Sequence, residues 1–217
     1  MPPVLALYED VLPNGAELAL PAAARMIFLV HGGARIGERA LSDGETWHGE
    51  AAVTITGGDS GATFWRYELA APPAPATGDA AGARGVRSRE KLAVPLDTLP
   101  AGELLLRGDS VAFPPGGCAY RNRHQGPGIR CLIEGGIRID THGRSTSYGP
   151  GGAWYESGPD AVFAQAAADR PSRFIRVMIL PRALLGKSSI QYVNEDDKAK
   201  PRSQQYKIYV DAPIAFA

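Results

Sequence analysis

The sequence has no surplus of either charge, few cysteines and no long apolar run. Its 217 residues include 23 Lys and Arg against 23 Asp and Glu, so the formal net charge is zero. A nucleic-acid-binding protein normally carries a basic surplus that neutralises phosphates. A bilayer span needs about 20 consecutive apolar residues, and no stretch approaches that length. These absences argue against nucleic acid and membrane as partners.

Cysteine is equally scarce, and this bears on the cellular compartment. Cys118 and Cys131 are too few for a disulfide framework. Residues 1–10 contain no basic segment ahead of an apolar one, so no secretory signal is expected there. We therefore expect a cytoplasmic protein in which both cysteines are small core residues.

Glycine and proline, by contrast, are abundant. The chain has 26 Gly and 18 Pro, and they separate short apolar stretches instead of forming one tract. Hydrophobic residues make up 44% of the chain, which is enough for a core. Many short strands joined by tight turns produce this pattern. The composition predicts an all-β fold.

The sequence also repeats itself once. Three landmarks recur in the same order, and the offset between the copies grows as expected when loops lengthen. The matched pairs are Val30–Ile36 with Ile133–Ile139, Gly44–Trp47 with Gly151–Trp154, and Phe64–Arg66 with Phe174–Arg176. We infer the duplication of a unit of roughly 100 residues.

The duplication suggests a domain organisation. We predict a first barrel over residues 1–70 and a proline-containing linker over residues 71–89. A second barrel is predicted over residues 90–182, followed by a C-terminal extension over residues 183–217 with one strand at residues 205–210.

The second unit resembles a cupin. The resemblance rests on Asn122-Arg123-His124, on the apolar run Ile129–Ile133 that leads to Gly135, and on the segment Trp154–Asp160. By duplication the whole chain is similar to a bicupin, within a bacterial subgroup whose metal-binding motifs are degenerate. The resemblance implies two tandem antiparallel jelly-roll barrels, the first structural and the second containing a small-molecule pocket.

In cupins a His-x-His pair, a carboxylate and a further His point into the barrel and hold one metal ion. This sequence departs from that pattern. Asn122 takes the first position of the pair, the carboxylate position falls at or beside Gly128, and the last His falls near Asp160 or Ala161. His124 alone keeps the place of a family ligand. Glu156 is a candidate for the missing carboxylate, since it shares strand parity with Trp154.

Two functional hypotheses follow from the resemblance. The first is a small-molecule cupin with one degenerate metal site for Zn, Fe, Mn or Ni, made by His124 with Glu156 or Asn122. The alternative is a metal-free binding or sensing module in which Arg130 holds a small anion. Either pocket would be lined by a set of polar and aromatic residues, namely Tyr120, Asn122, Arg130, Trp154 and Tyr155. Catalysis, substrate and reaction stay open, and a homodimer is expected by analogy with cupins.

Overall fold

A computed structural model describes residues 2–71 and 85–215 of the chain. The described residues form antiparallel β-sheets almost throughout, which confirms the all-β prediction. They divide into two compact units at Thr98 and Leu99. Among the residues described, no helix has the length and hydropathy of a membrane span.

The first unit is built on two long strands that bend through both layers of a barrel. Its strands are β1 (Val4–Leu12), β2 (Glu17–Leu20), β3 (Ala24–Ile36), β4 (Arg39–Ser42), β5 (Thr46–Gly49), β6 (Val53–Ala70) and β7 (Arg87–Pro95). They pair in the order β4-β3-β6-β1-β7, and β5 pairs with β3 while β2 pairs with β6. An apolar cluster that includes Ile27, Ile55 and Phe64 fills the interior.

The second unit separates the same arrangement into two five-stranded sheets. Its strands are β8 (Leu104–Phe113), β9 (Cys118–His124), β10 (Gly128–Glu134), β11 (Ile137–Thr141), β12 (Arg144–Tyr148), β13 (Ala153–Glu156), β14 (Val162–Ala166), β15 (Ser172–Pro181), β16 (Ile190–Tyr192) and β17 (Gln205–Ile214). One sheet has the order β13-β10-β15-β8-β17 and the other the order β12-β11-β14-β9-β16. A short helix, α1 (Glu195–Ala199), lies between β16 and β17.

The pairing of the strands supports the duplication. Strands β5-β3-β6-β1-β7 of the first unit correspond in order to β13-β10-β15-β8-β17 of the second. The register agrees too, because Trp47 lies opposite Ile27 and the matched Trp154 lies opposite Arg130. The tandem jelly-roll architecture expected from the sequence is therefore present.

The units end at different residues from those predicted. Strand β7 pairs with β1, so the first unit includes residues 87–95. Strand β17 pairs with β8 along its length, so the predicted C-terminal extension supplies a strand of the second barrel. Each of these strands is the outermost strand of its sheet, β7 beside β1 and β17 beside β8. Most of the predicted linker, residues 72–84, lies outside the described residues.

Candidate functional site

Two buried residues of opposite charge lie at the centre of the second barrel. Strands β15 and β8 place Arg176 directly opposite Asp109. The Arg176 Nε donates to Oδ1 at 2.9 Å and Nη2 donates to Oδ2 at 2.6 Å. The two residues are 6% and 2% exposed. This bidentate geometry is the strong form of an Arg–carboxylate pair, and it neutralises both charges inside the protein.

His124 lies at the end of β9 and contacts the same arginine. Its Nε2 is 3.1 Å from Arg176 Nη1, and its Nδ1 is 3.1 Å from the Ser189 hydroxyl. Burial holds the pKa of His124 well below its usual value, and the nearby Arg176 guanidinium lowers it further. The imidazole is therefore neutral near pH 7.

The hydrogen bonds assign the tautomer of this neutral ring. A guanidinium can only donate, so His124 Nε2 accepts the bond from Arg176. The single ring proton then lies on Nδ1 and is donated to the Ser189 oxygen. Ser189 keeps its own hydroxyl proton to donate to a third group. His124 thus does not act as a base toward Ser189.

A small interior cavity of about 30 Å³ adjoins this group. It has room for about one or two water molecules. Four of the residues predicted from the sequence line it together with His124, and these are Asn122, Arg130, Trp154 and Glu156. Residues predicted from the sequence therefore meet at one place in the second barrel.

Inside this cavity the predicted residues bind one another. Arg130 is 1% exposed, and its Nη1 donates to the Gly128 carbonyl at 2.7 Å. Its Nη2 lies 2.8 Å from Glu156 Oε2 and forms an ion pair with it. Nη2 nevertheless lacks hydrogen-bond geometry to any described residue. Burial lowers the pKa of Arg130 to about 10, against the opposing effect of Glu156. Glu156 also accepts from Trp154 Nε1 at 2.9 Å, and Asn122 donates to the Tyr120 carbonyl at 2.7 Å.

Neither predicted tyrosine lines this interior cavity. The pairing of β9 with β14 contains a register shift, and this shift puts Ala119 and Asn122 on the same face of β9. Tyr120 therefore does not share a face with Asn122, although simple strand alternation predicts that it does. The Tyr120 ring instead packs under Lys200 Nζ at 4.8 Å. Tyr155 alternates with the two inward residues Trp154 and Glu156, so its side chain belongs to the opposite face of β13.

A larger cavity of about 290 Å³ opens beside Arg176 and His124. Four cationic residues line it, namely Arg107, Arg176, Lys187 and Arg202, against the single carboxylate of Asp109. We name it the cationic cavity. Asp109 is already bound by Arg176, and no ion pair joins Lys187 or Arg202 to a described residue. The cavity therefore has unbalanced positive charge at its rim.

Arg107 fixes one wall of the cationic cavity. It is bound by Asp211 through Nε at 2.8 Å, and it donates to the carbonyls of Leu184 and Lys187 at 2.7 and 2.8 Å. These bonds hold the segment after β15 against β8. The rest of the lining includes two serines, Ser188 and Ser189, and four apolar or aromatic side chains, namely Ile190, Tyr192, Tyr206 and Ile208.

The donor set does not fit the metal ion that the cupin resemblance implies. One nitrogen of His124 faces an arginine and the other carries the ring proton, so neither offers a lone pair. Glu156 is bound by Arg130 and Trp154. Across residues 2–71 and 85–215, no three His, Cys, Asp or Glu side chains converge as metal ligands would. A metal at His124 would have to displace a buried guanidinium.

Sequence reasoning missed several residues of the cationic cavity. Arg176 entered the sequence analysis only as part of the repeat and not as a site residue. A charged residue within the apolar strand segment Phe174–Leu180 nevertheless requires a buried partner. That rule would have pointed to Asp109, which interrupts the apolar strand β8 in the same way. Lys187, Ser189 and Arg202 come from loops and carry no comparable signal.

The architecture and the known structures that resemble it agree on the class of fold. Two tandem antiparallel jelly-roll barrels with this strand order are a bicupin arrangement. No protein-family model and no curated protein sequence matches the chain. Solved structures do match it, at low sequence identity.

Two of these structures are oxalate decarboxylases. The enzyme from Lactobacillus farciminis, solved as a formate complex, matches with a TM-score of 0.67 and 16% identity, over 93% of this chain and 82% of its own. The Bacillus subtilis enzyme at pH 4.6 matches with a TM-score of 0.62 and 13% identity, over 92% of this chain and 73% of its own. At such identity the likeness shows the cupin fold and leaves the reaction open.

Proposed function

We propose that the second barrel is a metal-free binding module for a small organic anion, which it takes up in the cationic cavity. One observation carries this proposal. A cavity of about 290 Å³ reaches a buried Arg176 whose carboxylate partner is satisfied, while Lys187 and Arg202 at its rim have no described counter-ion. The alternative stated from the sequence is thereby preferred, with Arg176 in the role first given to Arg130.

The charge of the cavity favours an anion as its occupant. Asp109 is bound by Arg176, and Asp211 is bound by Arg107, so neither carboxylate compensates the rim. Walls of low dielectric constant focus the field of such charges and raise the local concentration of anions. Because Lys187 and Arg202 are exposed, each contributes only about 0.5 kcal/mol.

The hydrogen bonds favour a carboxylate in particular. Arg176 Nη1 and Nη2 each carry two protons, and each uses one of them on His124 or Asp109. The Ser189 oxygen accepts from His124, so its hydroxyl proton is free to be donated. Apart from Asp109, which Arg176 already binds, the charged groups that line the cavity are thus donors. A carboxylate accepts only, and it matches a guanidinium through two parallel bonds.

The tautomer of His124 supports binding over hydrolysis. A serine nucleophile needs a neighbouring base that accepts its proton. Here the ring donates to Ser189, and its other nitrogen is held by Arg176. The arrangement therefore positions a donor for a ligand and does not activate a nucleophile.

The proposal is tested by thermal shift on chelator-treated protein with benzoate and with benzamide, its neutral isostere. Benzoate at a hundred times Kd should stabilise the protein by about 2.7 kcal/mol, and benzamide should not. The double variant Lys187→Gln with Arg202→Gln should bind benzoate about fivefold more weakly, since two contributions of about 0.5 kcal/mol add.

The control is Lys207→Gln, which removes one positive charge from β17 outside the cavity lining and is compared with each of the single variants Lys187→Gln and Arg202→Gln. An equal response to benzamide, or an equal loss in the control, would contradict the proposal. The homodimer and the cytoplasmic location stay predictions, and light scattering and fractionation test them.

A further inference from the structure

We infer that the anion carries a flat apolar body that packs against Tyr206 and Ile208, so that its class is an aromatic carboxylic acid. This inference rests on the proposed function and adds the part of the ligand that the charges do not describe.

Two large apolar side chains are exposed on one wall of the cationic cavity. Tyr206 is 47% exposed and Ile208 is 56% exposed, and both line the cavity. They alternate with Lys207 on β17 and so lie on the same face of that strand. Covering apolar area is worth about 25 cal/mol per Å², so a ligand with an apolar surface gains from this wall.

Aromatic rings also line the cavity from a second strand. Tyr192 belongs to β16, and its ring lies 5.4 Å from the Arg202 guanidinium. Tyr206 belongs to β17, and its ring lies 6.0 Å from the Arg176 guanidinium. Each ring thus lies next to a cation that can bind a carboxylate. A planar acid can place its charged group on the guanidinium while its body packs against the ring.

The size of the cavity points the same way. Its 290 Å³ lies just below the range of about 300–1,000 Å³ found for sites of drug-sized ligands. A short diacid such as oxalate would leave most of this volume and all of the apolar wall unused. A sugar acid would place its hydroxyl groups against the apolar wall, and Asp109, the one carboxylate of the lining, is already bound by Arg176.

The test is calorimetric titration of chelator-treated protein with acetate, oxalate, benzoate, 2-naphthoate and 2-naphthamide. Affinity should rise at least tenfold from acetate to benzoate and rise again for 2-naphthoate, while oxalate stays with acetate. Ile208→Ser should weaken 2-naphthoate binding about fivefold and leave acetate unchanged. Val193→Ser alters a residue that is 39% exposed and outside the lining, and it should change nothing.

The pattern of outcomes distinguishes failure of the aromatic class from failure of the proposed function. Equal affinity for all the carboxylates, or no effect of Ile208→Ser, overturns the aromatic class and leaves the anion module standing. Binding of 2-naphthamide as tight as 2-naphthoate overturns the anionic head group and with it the proposed function. If no carboxylate binds, both fail.

Discussion

Nη1 of Arg176 lies 3.1 Å from Nε2 of His124, so a guanidinium faces the ring nitrogen that would otherwise be available to a metal. The arginine cannot give way cheaply, because Asp109 holds it through two further bonds and both residues are buried. This contact separates the two hypotheses drawn from the sequence. It favours the metal-free hypothesis, because Nε2 already accepts from a guanidinium and the remaining arginine protons can be donated to an anion.

The first prediction concerns the proton on His124. Nitrogen-15 NMR of the side chain should show the tautomer protonated on Nδ1, because Nε2 accepts from Arg176. The spectrum should not change when Zn²⁺ or Mn²⁺ is added. Protonation on Nε2, or a shift of this ring on metal addition, would contradict the arrangement.

The second prediction concerns acid stability. The pKa of His124 is lowered in the folded protein, so the unfolded chain, with a pKa near 6.5, binds more protons below that pH. The contribution of His124 to the free energy of unfolding is therefore full above about pH 6.5 and is lost as the pH falls below that value. The slope from this one group is at most about 1.4 kcal/mol per pH unit.

The measurement is urea unfolding at several pH values from about 7 to about 5. His124→Gln should flatten the profile, because it removes the group that takes up the proton on unfolding. His142→Gln, at a residue whose side chain is 64% exposed, should leave it unchanged. Identical profiles for wild type and His124→Gln would refute the assignment.

The third prediction compares the buried Arg–Asp ion pairs of the two barrels. Arg66 and Arg176 occupy the same place in the repeat, and each binds an aspartate of the neighbouring strand, Asp10 or Asp109. Asp109→Ala leaves the Arg176 guanidinium buried and unpaired, at a cost of about 3–5 kcal/mol. Asp10→Ala should cost less, because Arg66 keeps Glu68.

Urea unfolding of both variants measures the difference. Asp109→Leu combined with Arg176→Met should recover most of the loss, because an apolar pair replaces the buried ions. A greater loss for Asp10→Ala than for Asp109→Ala would show that the second pair is not as isolated as its contacts indicate.

The fourth prediction tests the glycines that identified the repeat. Gly32 and Gly135 have φ of +92° and +83°, and a Cβ at either would collide with a backbone carbonyl, that of Gly61 or of Pro171. Gly135→Ala should destabilise the protein by roughly 1–3 kcal/mol. Gly136→Ala has ordinary contacts and should cost far less. Equal melting temperatures for the two variants would argue against this constraint.

The same glycines explain why the fold could be predicted from the sequence. The chain passes from β10 to β11 at Gly135, and β3 bends through both layers in the corresponding region. Only glycine fits there, so the duplicated motif stayed visible after most other residues had changed. Trp47 and Trp154 also occupy matching places, since each lies opposite the corresponding position of the neighbouring strand, Ile27 or Arg130.

The site could be predicted only in part. The positions that follow simple strand alternation could be predicted from the sequence, and those set by a register shift or by loops could not. Trp154 and Glu156 follow simple alternation and line the interior cavity as parity predicts. Tyr120 does not, because a register shift in β9 leaves no mark in the sequence. The cationic cavity depends on loops that return to the barrel after β15 and α1, and their approach is set by tertiary bonds such as those of Arg107.

The most direct test of the central claim is calorimetric titration of benzoate into chelator-treated protein, repeated after one equivalent of Mn²⁺ or Zn²⁺ is added. We predict saturable binding at one site, with the same Kd in the presence and absence of the metal. Benzoate binding that requires the metal, or stoichiometric binding of the metal itself at His124, would contradict the account.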